Sequence, residues 1–321
     1  MLGRKGQIHT FKVTRTEEEQ LQEQQETDYY KFNKSEVLED DEKEHIKNIT
    51  YGADIKDKVL TKLKRAHSDM SEVFNESLDR GYNHYYGKHE CRLNWAGENG
   101  PQSNKPSVVN YKHTLNGLLQ EVADNLKRQG VPADPQELGI SVQAVCPAFL
   151  QRKKRAKDKI KDQLTMNDVM LLVNFRPFNK KIKDVPTQMM NPDDVFNLMG
   201  WWKYIIVMDL YHGFFQNHMS SDSVPWLAIM TPFGGVRVMM RSGQGLLGQS
   251  EEFTLLIKII IKEDLQEGKC CQIINDIITG GATQEEAEAN FIAIIKKFQL
   301  ANIKVFPKQI YILGWVWKQG G

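Results

Sequence analysis

The stretch YIIVMDLYHGFFQ, residues 204–216, reads as an apolar strand that delivers Asp209 at its end and then enters a glycine–aromatic turn at Gly213 and Phe214. A carboxylate at the rim of a sheet can hold a metal ion on a rigid element. An Asp after an apolar strand can equally be an ordinary helix-starting cap, so this segment alone leaves both readings open. Its neighbours in sequence decide between them. Upstream lies MLLVNFRPFN (170–179), and downstream lie TPFGG (231–235), RSGQGLLGQSEEF (241–253) and CCQIINDIITGGATQEEAEANF (270–291). From Val142 onward short apolar runs alternate with helical patterns, as an α+β or α/β domain requires.

In this order and spacing the blocks from about Leu115 to Gly321 resemble the reverse transcriptases of gypsy-type LTR retrotransposons. The resemblance rests on several separate blocks in one order, which is far more specific than any one of them. It implies an α+β fold, the palm and fingers of a right-hand polymerase, with residues 115–321 forming that unit and the thumb and RNase H parts absent. It also implies RNA-directed DNA polymerisation, a nucleotidyl transfer assisted by two Mg²⁺ ions, on an RNA or DNA primer–template with deoxynucleoside triphosphates.

The resemblance carries roles onto single residues. Asp209 matches the first metal-binding aspartate. The tyrosine-x-Asp-Asp hairpin corresponds to Ile273, Ile274, Asn275 and Asp276, so Asp209 and Asp276 remain as metal ligands and Asn275 replaces the third carboxylate. An amide offers a metal an oxygen but no negative charge. Losing that charge is expected to cost on the order of 10³-fold in rate. Phe214 matches the aromatic beneath the incoming sugar, although a core aromatic would look the same. Gln244 and Gly245 match a loop lining the nucleotide pocket, with Gly243 where relatives often carry proline. Arg176 belongs to the block Asn174-Phe175-Arg176 in the fingers, but the triphosphate-clamping arginine six residues earlier aligns with Met170, which cannot neutralise phosphate. Near the end, Lys304 or Lys308 could stand in for the general-acid lysine in a segment that reads as shortened. These departures lead to the expectation of a degenerate copy with little activity, a fragment of a longer polyprotein. A non-catalytic nucleic-acid-binding or scaffolding role is the alternative.

The basic run QRKKRAKDKIK (151–161) places Arg152, Lys153, Lys154 and Arg155 where the fingers would meet template. A solvated helix or a nuclear-import signal would have the same composition. His84, His89 and Cys91 have a spacing that suggests zinc, but no convincing fourth ligand lies nearby. Tyr82, Tyr85, Tyr86 and Trp95 read as a packed loop cluster.

With 321 residues and 40% hydrophobic content the chain can bury a large core, and its net charge of +1 leaves local patches to decide any affinity for nucleic acid. Cys91, Cys146, Cys270 and Cys271 lack a paired C-x-x-C spacing and are read as reduced thiols. The opening MLGRKGQIHT lacks an apolar signal region, and no run is long enough to span a bilayer. The expectation is an intracellular protein, in cytoplasm or nucleus, without membrane contact. Residues 1–50 read as an acidic, polar, disordered leader, and 51–114 as a linker and N-terminal extension. Within the latter, Val59, Leu63, His67, Met70 and Val73 recur at helical spacing. Leu115, Leu118, Leu119, Val122 and Leu126 predict a helix ending before Gly130. Thr283 and Glu286 form a capping box for a helix whose Ala287, Phe291, Ile294, Ile295 and Phe298 share one face.

Overall fold

The computed structural model describes residues 49–52, 55–97, 113–160, 163–183, 192–233, 235–307 and 310–312. The acidic leader up to residue 48, the side chain of Arg155, Lys308 and the closing LGWVWKQGG lie outside them.

Two five-stranded sheets organise the described residues. The first has the order β1 (Thr50–Tyr51), β10 (Tyr311–Ile312), β5 (Tyr204–Asp209), β9 (Asp276–Gly281) and β8 (Cys270–Ile273). The second runs β2 (Pro132–Ala133), β7 (Gly235–Met239), β6 (Ala228–Thr231), β3 (Val145–Arg152) and β4 (Val169–Val173). Alternation along β5 sends its side chains to opposite faces. Ile206 and Met208 enter a core shared with helices α1 (Asp57–Asp69), α5 (Gln249–Ile260) and α7 (Gln284–Ala301). Ile205 and Val207 face a smaller cluster with Trp202, Cys271, Ile278 and Val195 of α4 (Pro192–Gly200). Asp209 continues this second row and thereby escapes the main core.

Helix α7 starts where its capping box predicts. Glu286 donates its backbone N–H to Thr283 Oγ1 at 3.1 Å, and the Glu286 carboxylate accepts from the Ala282 backbone at 2.8 Å. Ala287, Phe291, Ile294, Ile295 and Phe298 are all fully buried. Truncating either phenylalanine would cost about 3–5 kcal/mol. Helix α2 (His113–Arg128) lays Leu118, Leu119, Val122 and Leu126 on the second sheet, and the chain leaves it through Gly130 at φ +71°. Helices α3 (Arg176–Asn179) and α6 (Lys262–Gln266) are single turns.

The sheet that carries Asp209 is mixed. Strand β1 pairs β10 in parallel, with Gly52 donating to the Ile312 carbonyl at 2.9 Å. Two-residue strands have no periodicity to read, so pairing between the two ends of the described chain leaves no mark in sequence. Residues 51–114, expected as an extension, supply α1 and the 3₁₀ turn Ser71–Phe74 to the core of α7. Further along the same stretch, Leu78, Cys91 and Leu93 join the core of the second sheet.

Candidate active site

Strand register brings the two surviving aspartates face to face. Asp209, last residue of β5, pairs with Asp276, first residue of β9. Directly opposite residues of an antiparallel pair hold their Cβ atoms about 4.5–5.5 Å apart, so both carboxylates share one neighbourhood. Ile273 pairs with Asp276 and closes the β8–β9 hairpin over two residues, Ile274 and Asn275. Ile274 sits at φ +56°, a region that β-branched residues avoid. Two-residue hairpins demand such an angle, and the Gln272 amide bonds the Ile274 carbonyl at 2.9 Å to hold it. Strain of this kind is typical of functional turns.

Asn275 is tied back to the end of β5, its carbonyl accepting from the Leu210 backbone at 3.1 Å. Its side-chain oxygen is buried without a hydrogen-bond partner. A Cβ added to Gly213 would lie 3.2 Å from that oxygen and 2.7 Å from the Phe253 ring. Glycine at 213 therefore makes the room in which Asn275 and Phe253 sit.

The surroundings disfavour the charge of both carboxylates. Burial, then the neighbouring Asp276, push the Asp209 carboxyl up to about 6. Burial also raises Asp276. Two carboxylates and an orphan amide oxygen are the hard donors that a single Mg²⁺ or Mn²⁺ accepts, and in this sense the residues fit one divalent ion. Among the described residues no three His, Cys, Asp or Glu side chains converge.

The 3₁₀ turn Gly213–Gln216 follows Asp209 and is held from several sides. Ser242 donates its hydroxyl to the Phe214 carbonyl at 2.6 Å, Arg241 donates to the Phe215 carbonyl at 3.2 Å, and the Tyr82 backbone donates to the Gln216 carbonyl at 2.8 Å. Phe214 also meets Phe253 edge-on, with ring centroids 6.0 Å apart.

A cavity of about 610 Å³ opens over this floor. Asp209, Asn275, Phe214, Gln244, Lys153 and Lys154 all line it, and so does Met170. Gly245 is beside the cavity wall in sequence at φ +90°, where a side chain would be strained, and its carbonyl accepts from Asn179 at 2.8 Å. Arg176 is exposed at the start of α3 and does not line the cavity.

The basic run divides. Arg152, grouped by sequence with the template contacts, donates to the Lys159 carbonyl at 2.8 Å and so braces its own loop. Lys159 is paired with the buried Asp168 at 2.8 Å, and Asp168 also accepts from the Thr165 backbone and hydroxyl. These bonds hold the Asp168 carboxyl well below the usual carboxylate range. Lys153 and Lys154 are the members that reach the cavity.

Lys304, a candidate general acid, is buried and donates its ammonium to the Glu72 carbonyl at 2.8 Å, away from the cavity lining. His89 contacts the Glu252 carbonyl at 3.1 Å, His84 accepts from the His89 backbone at 3.3 Å, and Cys91 is fully buried. The four aromatics read as one loop cluster separate: Tyr82 is buried in the core of the first sheet, Trp95 packs on Phe178 and Trp226 in that of the second, and Tyr85 is 60% exposed. Sequence reasoning missed Gln216, whose buried amide bonds the Tyr211 carbonyl and both backbone groups of Lys304. A glutamine after an aromatic pair gives no periodic signal.

No family model matches the chain. No curated protein matches it either. Solved structures do. A foamy viral protease–reverse transcriptase in complex with an RNA/DNA hybrid superposes with a TM-score of 0.67 at 18% identity, over 91% of this chain and 36% of that one. The same viral protein with double-stranded DNA gives 0.63 at 18% identity, over 90% and 48%. The native prototype foamy virus protease–reverse transcriptase gives 0.64 at 18%, over 87% and 34%. The chain thus spans about a third to a half of the length of the proteins it matches. No helix among the described residues is long and apolar enough to cross a membrane. The chain thus has the α+β reverse transcriptase fold of palm and fingers.

Proposed function

We propose that this chain is a reverse transcriptase domain of gypsy-type retroelement origin that grips a primer–template but transfers nucleotides poorly. The observation that carries the reading is the Ile274–Asn275 turn. It places a neutral amide, in a cavity shared with Lys153, Lys154, Phe214 and Gln244, beside two facing aspartates.

Asp209 and Asp276, with the Asn275 side-chain oxygen, would hold a divalent cation. When bound, such an ion acidifies the primer hydroxyl and offsets charge on the departing pyrophosphate. The remaining work falls to the chain's own groups. Lys153 and Lys154 attract phosphates at the mouth of the cavity. Phe214 supports the sugar of an incoming deoxynucleotide and leaves little space for a 2′-hydroxyl. Gln244 lines the base side. Met170 presents a thioether where a triphosphate would need a cation, and Asn275 removes one of three negative charges. Nucleotide binding and transfer therefore both suffer, while phosphate-backbone contacts survive.

That asymmetry favours the second reading, a nucleic-acid-binding protein whose polymerase chemistry has lapsed. Fluorescence anisotropy with an RNA-template/DNA-primer duplex in EDTA tests the grip. Binding at about 0.1 M salt, weakening as salt rises, supports the proposal. Absence of binding at that salt refutes it.

A further inference from the structure

We infer that Gln216 is a positioning residue for the Asp209 carboxylate and so for the divalent cation; this rests on the cation site proposed above. Its side chain is fully buried and makes three hydrogen bonds, all to backbone. The amide nitrogen donates to the Tyr211 carbonyl at 2.6 Å and to the Lys304 carbonyl at 3.0 Å. The amide oxygen accepts from the Lys304 backbone at 2.6 Å. Both ends of the amide are used, so only a group that donates and accepts at once can fill the place.

What those bonds join gives them their consequence. The segment around Lys304 is the partner that fixes the backbone at Asp209 and just after it. Phe306 donates to the Asp209 carbonyl at 2.8 Å, Leu210 bridges to Val305, and Tyr211 donates to the Lys304 carbonyl at 3.0 Å. Asp209 is the last residue of its strand, and beyond it regular pairing with β9 stops. The ladder to residues 304–306 takes over there, and Gln216 pins that ladder from beneath. Gln216 also ends the turn that bears Phe214. Removing its amide leaves the Lys304 N–H without an acceptor in a buried place, which the chain relieves by letting the 304–306 segment drift from Asp209. A carboxylate that ligates a metal loses affinity when the groups holding it in place are removed, by about 10–100-fold in known sites.

The test is Mn²⁺ binding by the whole chain at pH 8, followed by the electron paramagnetic resonance signal of free Mn²⁺. The unaltered chain is compared with Gln216→Leu, Gln216→Glu and Ile294→Ala in α7, a core truncation that removes none of these hydrogen bonds and serves as the control for lost stability. The proposal predicts that Gln216→Leu weakens Mn²⁺ binding about tenfold or more while Ile294→Ala leaves it within twofold. Gln216→Glu keeps the acceptor for Lys304 and loses the donor, and should fall between. If Gln216→Leu melts as early as Ile294→Ala yet binds Mn²⁺ as the unaltered chain does, Gln216 is structural only and the proposal is overturned. If the unaltered chain binds no Mn²⁺, the cation site itself is wrong and the proposal falls with it.

Discussion

Restoring a carboxylate at position 275 should make the protein less stable before it makes it more active. The Asn275 oxygen is buried beside Gly213, and Asp209 nearby is already pushed up to about 6 by burial and by Asp276. A third carboxylate beside Asp209 and Asp276, at an effective dielectric of ~20, adds repulsion on the order of a few kcal/mol before solvent screening. Half-exposed surroundings reduce this, so Asn275→Asp should lose about 1–2 kcal/mol at pH 8 without divalent ions. For a chain of this size that lowers the melting temperature by about 2–6 °C. The sign follows from the proton count. The new carboxyl has a folded-state pKa above its unfolded value, so the folded state binds more protons, and stability is lost as pH rises between those two values. The deficit should therefore vanish near pH 4 and be complete by pH 8. Mg²⁺ or Mn²⁺ at a hundredfold its dissociation constant contributes about 2.7 kcal/mol and should more than reverse it. Thermal melts at pH 4 and 8, with and without the ions, read all of this. A variant as stable as the unaltered chain at pH 8 in EDTA, and indifferent to Mg²⁺, would refute the placement of residue 275 beside Asp209.

Other perturbations separate the parts of the account. Asp209→Asn should stabilise the ion-free protein at pH 8 by about 1 kcal/mol, with the gain fading as pH falls from 6 toward 4, since Asp209 is raised in the folded state; pH-dependent melts check it. Lys153→Ala should weaken primer–template binding and lower the salt slope by about 1, whereas Arg152→Ala, which frees a loop brace, should mainly lower protection of residues 152–159 in hydrogen exchange. Ile274→Gly relieves a β-branched residue at φ +56° and should raise stability by roughly 1 kcal/mol in denaturant titration.

How far the sequence could be read varied with the physics behind each signal. Helix α7 was legible because Thr283 and Glu286 announce its start and its apolar residues recur at helical spacing. Asp209 was legible because an apolar strand that ends in a carboxylate is a local pattern. The role of α1 in the core of the first sheet was hidden, since its Val59, Leu63 and His67 mark a helix face but not what that face meets. Strand β1 pairs with a segment at the far end of the described chain, and nothing local encodes that. In the basic run, composition could not tell Lys153 and Lys154, which reach the cavity, from Arg152 and Lys159, which brace their own hairpin. Gln216 was invisible for a similar reason, because its partners lie on Tyr211 and Lys304.

Primer extension on an RNA template, with Mg²⁺ and then Mn²⁺, comparing the chain with its Asn275→Asp form, shows whether the amide at 275 limits nucleotidyl transfer. The unaltered chain should extend weakly or not at all, and the aspartate form should gain on the order of 10³-fold. Efficient extension by the unaltered chain would contradict this, because the site would then work with an amide where the geometry calls for a third charge.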